Sequence, residues 1–291
     1  MCASVARDQI VLCDRNCHKS IEHSLTLTGG VPVYLLPSRN AWGIIGPIHP
    51  ERLSPKAIEA SIVGNPLAKP GKPVHWFITN STYDGLCSKV TRITALLDPV
   101  VDRIHFDEAW YWYARFNRLY SERYAMHGDP TAHRGPTIFA THSTHKVLAA
   151  LSQASFIHVR EGRAPIEHAQ LNESFMMHNS TSPLYTIIAS NDTATAMMDG
   201  ARGSALTTEA TQEAVGFRQM IGRIRKQFAE RGEWFFETWN AEVVRDRKTG
   251  QSVPFEDAPE EWLVLEPEAW ILHADDSWHG FSGLEDGYAI V

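Results

Sequence analysis

No run in this sequence approaches the ~20 consecutive apolar residues that a membrane-crossing helix requires. A run of lysines and arginines is also missing, and the formal net charge is -7, which argues against a nucleic-acid partner. The opening "MCASVARDQIVLCD" lacks the charged, apolar and small-residue succession of a signal peptide. Cysteine is scarce: Cys2, Cys13, Cys17 and Cys87 form no CxxC pair or regular framework. Reduced thiols of a cytoplasmic protein are the expectation. Cys13 and Cys17 with His18 would make only one half of a metal site, so buried thiols are preferred. There is no HExxH pair, internal repeat or low-complexity tract.

What is present is an alternation. Short apolar runs rich in β-branched and aromatic residues are each followed by a segment with helical spacing. "QIVLCD" precedes "RNCHKSIEHSLTLTGG", where Gly29-Gly30 marks a helix stop. "VPVYLLP", "KPVHWFITN", "DRIHFD", "PTIFAT" and "ASFIHV" read as further strands. Helices are expected in "SPKAIEASIVG", "CSKVTRITALLD", "EAWYWYARF", "HKVLAAL" and "SNDTATAMMDG", with a long amphipathic one from Thr207 to Arg231. A final strand-like piece is "EAWILH", and the apolar ending "GLEDGYAIV" reads as a chain cut inside an element. Alternation of this kind predicts an α/β fold, with a mainly parallel sheet buried on both faces. A domain change is placed near Gly200, giving a large domain over 1–199 and part of a smaller one over 200–291.

In a parallel α/β sheet, ligands bind beyond the carboxyl ends of the strands. Those ends carry Asp14 and His18, Asn80 and Asp84, His105 and Asp107, then His142, Ser143, His145 and Lys146. Four such endings together favour a site. Lys146 stands out, because "FATHSTHKVLAALSQAS" sets an ammonium just before a small, apolar segment. A desolvated lysine beside imidazoles becomes a nucleophilic amine suited to carbonyls. A neighbouring acid, Asp107, suits a protonated pyridine nitrogen, with His18 over the ring and Ser143 at a phosphate. The set reads as a pyridoxal phosphate site.

The words themselves go further. "DRNCHKSIEH", "PSRNAWGIIGPI", "ITNSTYDG", "HFDEAWYWYARF", "ATHSTHKVLAALSQASFIHVREGR" and "MMHNSTSPLY" closely resemble the bacterial ornithine/lysine/arginine decarboxylases. The resemblance runs from about Asp8 to the "SWHGF" at Ser277 to Phe281. It implies a three-layer, pyridoxal-phosphate-dependent transferase-like large domain with a mixed, mainly parallel sheet, plus part of a small α+β domain. It also implies that Lys146 bonds covalently to the cofactor aldehyde, Asp107 pairs with the ring nitrogen, and His18 stacks on the ring. Ser143 and His145 flank the cofactor, and Trp110 lies on the Asp107 side. Ser180 and Ser182 reach a partner subunit's phosphate in a homodimer or higher homo-oligomer; Ser180 stands where threonine is frequent. His145 or Lys146 returns the proton to Cα. The implied substrate is a basic amino acid. "HFDEAWYWYARFN" and "TSPLY" look most like arginine-acting members, with lysine and ornithine as alternatives. Relatives carry a phosphate loop before the first strand and further chain after residue 291, so an internal fragment or truncated product is expected.

Blander readings exist for each residue. Lys146 alone is a solvated helix-start lysine, and Asp107 alone is a helix cap. His18 is a core histidine, while His142 and His105 serve packing or a structural hydrogen bond. Met176, Met177, Met197 and Met198 read as core. Two other functions compete: a metal-dependent hydrolase built on His105, Asp107, His142 and His145, and a non-catalytic homologue that associates with full-length subunits.

Overall fold

The computed structural model describes residues 1–246, 249–284 and 289–290. The first strand, β1 (Ile10–Asp14), is buried throughout. It leads into helix α1 (Lys19–Thr28), whose Ile21 and Leu25, one turn apart, form the buried stripe. Gly29 ends α1 in the left-handed conformation at φ 70°, a C-cap that glycine adopts without a Cβ clash. There follow β2 (Val31–Leu35), α2 (Pro55–Val63), β3 (His75–Thr79), a short β4 (Cys87–Ser88), α3 (Val90–Leu97) and β5 (Arg103–Asp107). Ser54 caps α2 through its side chain and proline occupies the first helical position. After β5 come β6 (Thr137–His142), a single turn α4 (Thr144–Val147) and β7 (Phe156–Arg160).

The main sheet has six strands in the order β2-β1-β3-β5-β6-β7. Every pairing is parallel except β6 with β7, which is antiparallel. The carboxyl ends of β1, β3, β5 and β6 therefore lie along one edge. Side-chain alternation divides the strands between two cores. Ile10, Leu12, Trp76, Ile78, Ile104 and Phe106 pack with Ile58, Ile62, Ile93 and Leu97 of α2 and α3. Val11, Cys13 and Phe77 pack with Ile21 and Leu25 of α1 on the other side. Phe139 continues that second face toward Ile166 and Leu171, the latter in α5 (His168–Met176). Helices thus cover both faces, as the near-continuous apolar strands require, and the three-layer α/β expectation holds. A fully buried leucine or isoleucine in such a core contributes ~1.5–3 kcal/mol.

Helix α6 (Tyr185–Met198) turns at Gly200, φ 59°, into α7 (Ala201–Ala229). A further cluster then joins Tyr111, Ala114 and Leu119 to Val215 of α7 and to Phe255, Leu263 and Trp270. Leu263 belongs to α8 (Glu260–Val264).

Several elements differ from the sequence reading. The aromatic run after β5 forms 3-10 turns, Trp112–Phe116 and Arg118–Tyr120, instead of an α-helix. Its bulky rings pack edge-to-face around Tyr111, Tyr113 and Tyr120 instead of lining one helical stripe. The helix expected from His145 closes after one turn, because Leu148 is already extended. "EAWILH" is not a strand but holds a 3-10 turn, Pro267–Trp270. Met198 is core, whereas Met176, Met177 and Met197 are exposed. Within "GLEDGYAIV", Ala289–Ile290 pairs antiparallel with β4, and residues 285–288 and 291 lie outside the described residues.

Candidate functional site

The parallel register builds the site's floor. Asp107 closes β5 opposite Thr141 of β6, and Thr79 closes β3 opposite Asp107. One residue on, the strands still hold together: Asn80 N donates to Asp107 O at 2.9 Å and Glu108 N to Thr141 O at 3.1 Å. Ser143 N donates to Ala109 O at 2.7 Å and Lys146 N to Ser143 O at 3.0 Å. These bonds carry the chain from the sheet into α4. Buried Thr144 anchors that turn by donating its hydroxyl to Asn191 Oδ1 of α6 at 2.5 Å.

Asp107 is the electrostatic centre. Burial pushes its carboxyl above the usual range, opposed by the Ala109 N–H and by the charges of His18, Lys146 and His142. Its Oδ1 accepts from Ala109 N at 3.2 Å, which leaves Oδ2 for another donor. Lys146 and His18, from separate elements, therefore both lie within electrostatic reach of Asp107. His18 is the N-cap of α1: its Nδ1 accepts from Ser20 N at 3.3 Å and sits 2.9 Å from Ser20 Oγ. That contact fixes the ring and leaves Nε2 toward solvent. Trp110 donates from Nε1 to Ser81 O at 3.2 Å, and its ring lies 5.1 Å from the exposed Tyr83.

The desolvation expected around Lys146 is absent from this structure. Lys146 is exposed, because α4 turns only Thr144 inward. His145 is half-buried, and its Nδ1 lies 2.8 Å from Ala154 O, so that nitrogen carries the hydrogen and Nε2 is left over. Ser143 is half-buried beside Lys146. Ser180 and Ser182 are exposed in the link between α5 and α6, where Ser182 N donates to Ser180 Oγ at 3.1 Å. The structure therefore sets Asp107, His18, Lys146, Ser143, His145 and Trp110 along one edge, at the ends of β1, β5 and β6.

The metal-site grouping does not assemble. His105 Nε2 lies 2.6 Å from Thr141 Oγ1 on one face of the sheet, and His142 Nε2 lies 3.0 Å from Glu108 Oε2 on the other. His145 is turned to a backbone carbonyl, and among the described residues no three His, Cys, Asp or Glu side chains cluster.

Glu108 escaped the sequence reading. It is buried, and its Oε1 accepts from Asn80 Nδ2 at 2.8 Å and Ala125 N at 2.7 Å. The signal was available in "HFDEAW": alternation sends adjacent acids to opposite faces, and a buried carboxylate needs donors. Asp14, at the end of β1, is also buried, and desolvation raises its carboxyl to about 6 against the Asn16 and Thr79 N–H groups. An apolar cavity of about 590 Å³ opens beyond α4, lined by Leu148, Ala149, Met198, Ala214 and Trp270. Asp107, His18 and Lys146 do not line it, so it lies beside the polar edge instead of within it.

The donor set fits pyridoxal phosphate: an exposed primary amine, a carboxylate with one open oxygen, an imidazole fixed on edge and an indole. Comparison with known proteins identifies a family. A protein-family model described as "Orn/Lys/Arg decarboxylase, major domain" matches residues 1–291. The chain is 51% identical to the biodegradative arginine decarboxylase of Escherichia coli (strain K12), covering 100% of this chain and 39% of that protein. It is 45% identical to lysine decarboxylase LdcA of Pseudomonas aeruginosa, over 99% of this chain and 36% of the relative. The solved lysine decarboxylase A from Pseudomonas aeruginosa superposes with a TM-score of 0.83 at 42% identity, covering 100% of this chain and 37% of that one. The E. coli constitutive lysine decarboxylase gives 0.80 at 38% identity, over 99% and 36%. The chain therefore spans under two fifths of the length of these relatives.

Proposed function

The chain belongs to the Orn/Lys/Arg decarboxylase family, and we propose on that premise that it supplies the cofactor-binding part of a pyridoxal-phosphate-dependent decarboxylase acting on a basic amino acid in the cytoplasm. Arginine, giving agmatine and carbon dioxide, is the first choice of substrate, and lysine or ornithine the alternatives. The observation that carries the reading is that Asp107 ends β5 beside the end of β6, from which hydrogen bonds lead through Ser143 to Lys146, with His18 and Lys146 both acting electrostatically on the Asp107 carboxyl. The choice of arginine is supported by the 51% identity to an arginine decarboxylase, against 45% to a lysine decarboxylase and 31% to an ornithine decarboxylase. The same reading assigns residues 1–199 to the large domain and 200–291 to the start of a smaller one.

When bound, the cofactor provides a protonated ring that accepts the electron pair released as the α-carboxylate leaves. The chain's own residues act around that ring. Lys146 would hold the cofactor through its aldehyde, its exposed amine being the group that chemistry needs. Asp107, whose Oδ1 already accepts from Ala109 N, would keep the ring nitrogen protonated and so stabilise the charge that develops on Cα. His18, fixed by its cap to Ser20, would cover the ring. Trp110 would help hold the cofactor on the Asp107 side, and the Ser143 hydroxyl would serve its phosphate. His145 Nε2 or Lys146 Nζ returns the proton to Cα.

A second copy of the chain belongs to this reading. Phe175, Met177, Leu184, Tyr185 and Ile188 expose apolar surface on both sides of Ser180 and Ser182. A homodimer would bury that surface and carry both hydroxyls to the partner's phosphate.

The test is an assay of arginine, lysine and ornithine side by side, with the visible absorbance of the cofactor-loaded protein. Release of carbon dioxide from arginine, with a band that Lys146→Ala abolishes, is expected. An unchanged band in that variant removes Lys146 from its role. Preference for lysine or ornithine replaces the substrate choice. A protein that is inactive alone but co-purifies with a full-length subunit establishes the non-catalytic reading.

A further inference from the structure

We propose that Glu108 and His142 form a positioning pair that sets Asp107 and Lys146 at their working separation. This rests on the cofactor reading above. Glu108 directly follows Asp107, and His142 stands four residues before Lys146, so each belongs to the backbone that carries one reactive group. Their side chains meet at 3.0 Å, both buried, on the sheet face opposite the His105–Thr141 contact.

The pair is the side-chain half of a clamp whose backbone half is the ladder extension from Glu108 N to Thr141 O and from Ser143 N to Ala109 O. Glu108 extends the clamp sideways. Its Oε1 takes Asn80 Nδ2, from the end of β3, and Ala125 N, from the loop after the aromatic turns. One carboxylate thus ties together the ends of three strands and a loop. All its partners are donors, so an acceptor-only group fits the position and a neutral amide does not. Loss of the carboxylate strands buried donors, each costly to leave unmade.

His142 shows why an imidazole is there. Its Nε2 must carry a hydrogen to meet the carboxylate, and its Nδ1 has no hydrogen-bond partner among the described residues. The ring lies 5.1 Å from His158 and 6.5 Å from Trp112. A leucine would fill that space without an orphaned nitrogen, so the contribution of the imidazole is the donor to Glu108. Through that bond the start of α4 is held against the end of β5, and a shift of ~1 Å between such groups costs ~100-fold in rate.

The test uses the purified protein titrated with pyridoxal phosphate, reading its dissociation constant by fluorescence and the pH dependence of its visible band. His142→Leu is expected to weaken retention ~10- to ~100-fold and to displace the pH midpoint of the band. His142→Gln, which still donates to Glu108, is expected to restore both. Asn117→Ala, which removes a part-buried bond to Thr211 that shares no partner with Glu108 or His142, is expected to lower Tm and leave the cofactor readouts alone. If the leucine variant does not fold, the near-isosteric Glu108→Gln carries the test with the same expected loss. Retention and titration like wild type in His142→Leu or Glu108→Gln overturn the proposal, as does equal damage in His142→Leu and His142→Gln. A wild-type protein that shows no band at all overturns the cofactor reading, and this inference with it.

Discussion

His105 Nε2 lies 2.6 Å from Thr141 Oγ1, and the two side chains stand beneath Asp107 on the same face of the sheet. His105 is enclosed by Phe77 and Phe139, with ring centroids at 5.0 and 5.9 Å. Burial first, then the chain's N-terminal charge and His142, lowers its pKa to about 3. The ring under the candidate site is therefore neutral.

Acid should weaken the fold through this residue. The unfolded chain takes up a proton near pH 6.5 that the native ring refuses, so the stabilising contribution is complete above 6.5 and is lost progressively down to about 3. His75, also buried and lowered, acts in the same direction. His105→Asn should flatten this acid limb by an amount on the order of a few kcal/mol. Urea unfolding from pH 3 to 8 would measure it, and an unaltered limb would show that His105 is solvated.

Asp14 has the opposite sign. Its native carboxyl titrates at about 6 against a usual 3.8, so the native state prefers it protonated. Stability from this group is intact below 3.8 and falls as pH rises to about 6, by up to about 3 kcal/mol. Asp14→Asn should raise Tm at pH 7.5 and have little effect at pH 3.5. Equal Tm changes at both values would contradict the assignment.

His18→Ala should alter cofactor binding in two ways. It removes a ring contact worth ~0.5–1.5 kcal/mol, so pyridoxal phosphate should dissociate up to about tenfold more readily. It also removes one of the charges that hold the Asp107 carboxyl down, so the pH below which binding fails should move upward. Titrations across pH, read by absorbance, separate the two effects.

At Gly203, α7 packs closely against the rest of the chain. A Cβ there would stand 2.4 Å from Met198 O and 2.7 Å from Phe116 Cδ1. Backbone cannot yield as a side-chain tip can, so Gly203→Ala should cost ~1–3 kcal/mol. Gly216→Ala meets open space and should be neutral or slightly stabilising through helix propensity. Paired Tm measurements would check the contrast.

The six strands of the sheet were legible because each is a short apolar run between turn residues, and burial on both faces leaves little other choice of residue. Helices α1, α2 and α3 were legible from caps and spacing. The aromatic run after β5 was not, since Tyr111, Tyr113 and Tyr120 satisfy edge-to-face contacts that no helical period announces. At the site, Asp107, Ser143 and Lys146 could be placed from strand ends alone. Glu108 could not, because its meaning depends on which residue of β6 stands opposite.

By itself, the sequence determined the alternation of strand and helix, the edge on which the polar residues gather and the family to which they belong. All of these are local, carried by neighbouring residues within a few turns of chain. Only the tertiary structure decided that Lys146 is exposed, that His105 and His142 face opposite sides of one sheet, and that Glu108 gathers three strand ends. Exposure and pairing depend on atoms far apart along the chain, brought together when the strands fall into register.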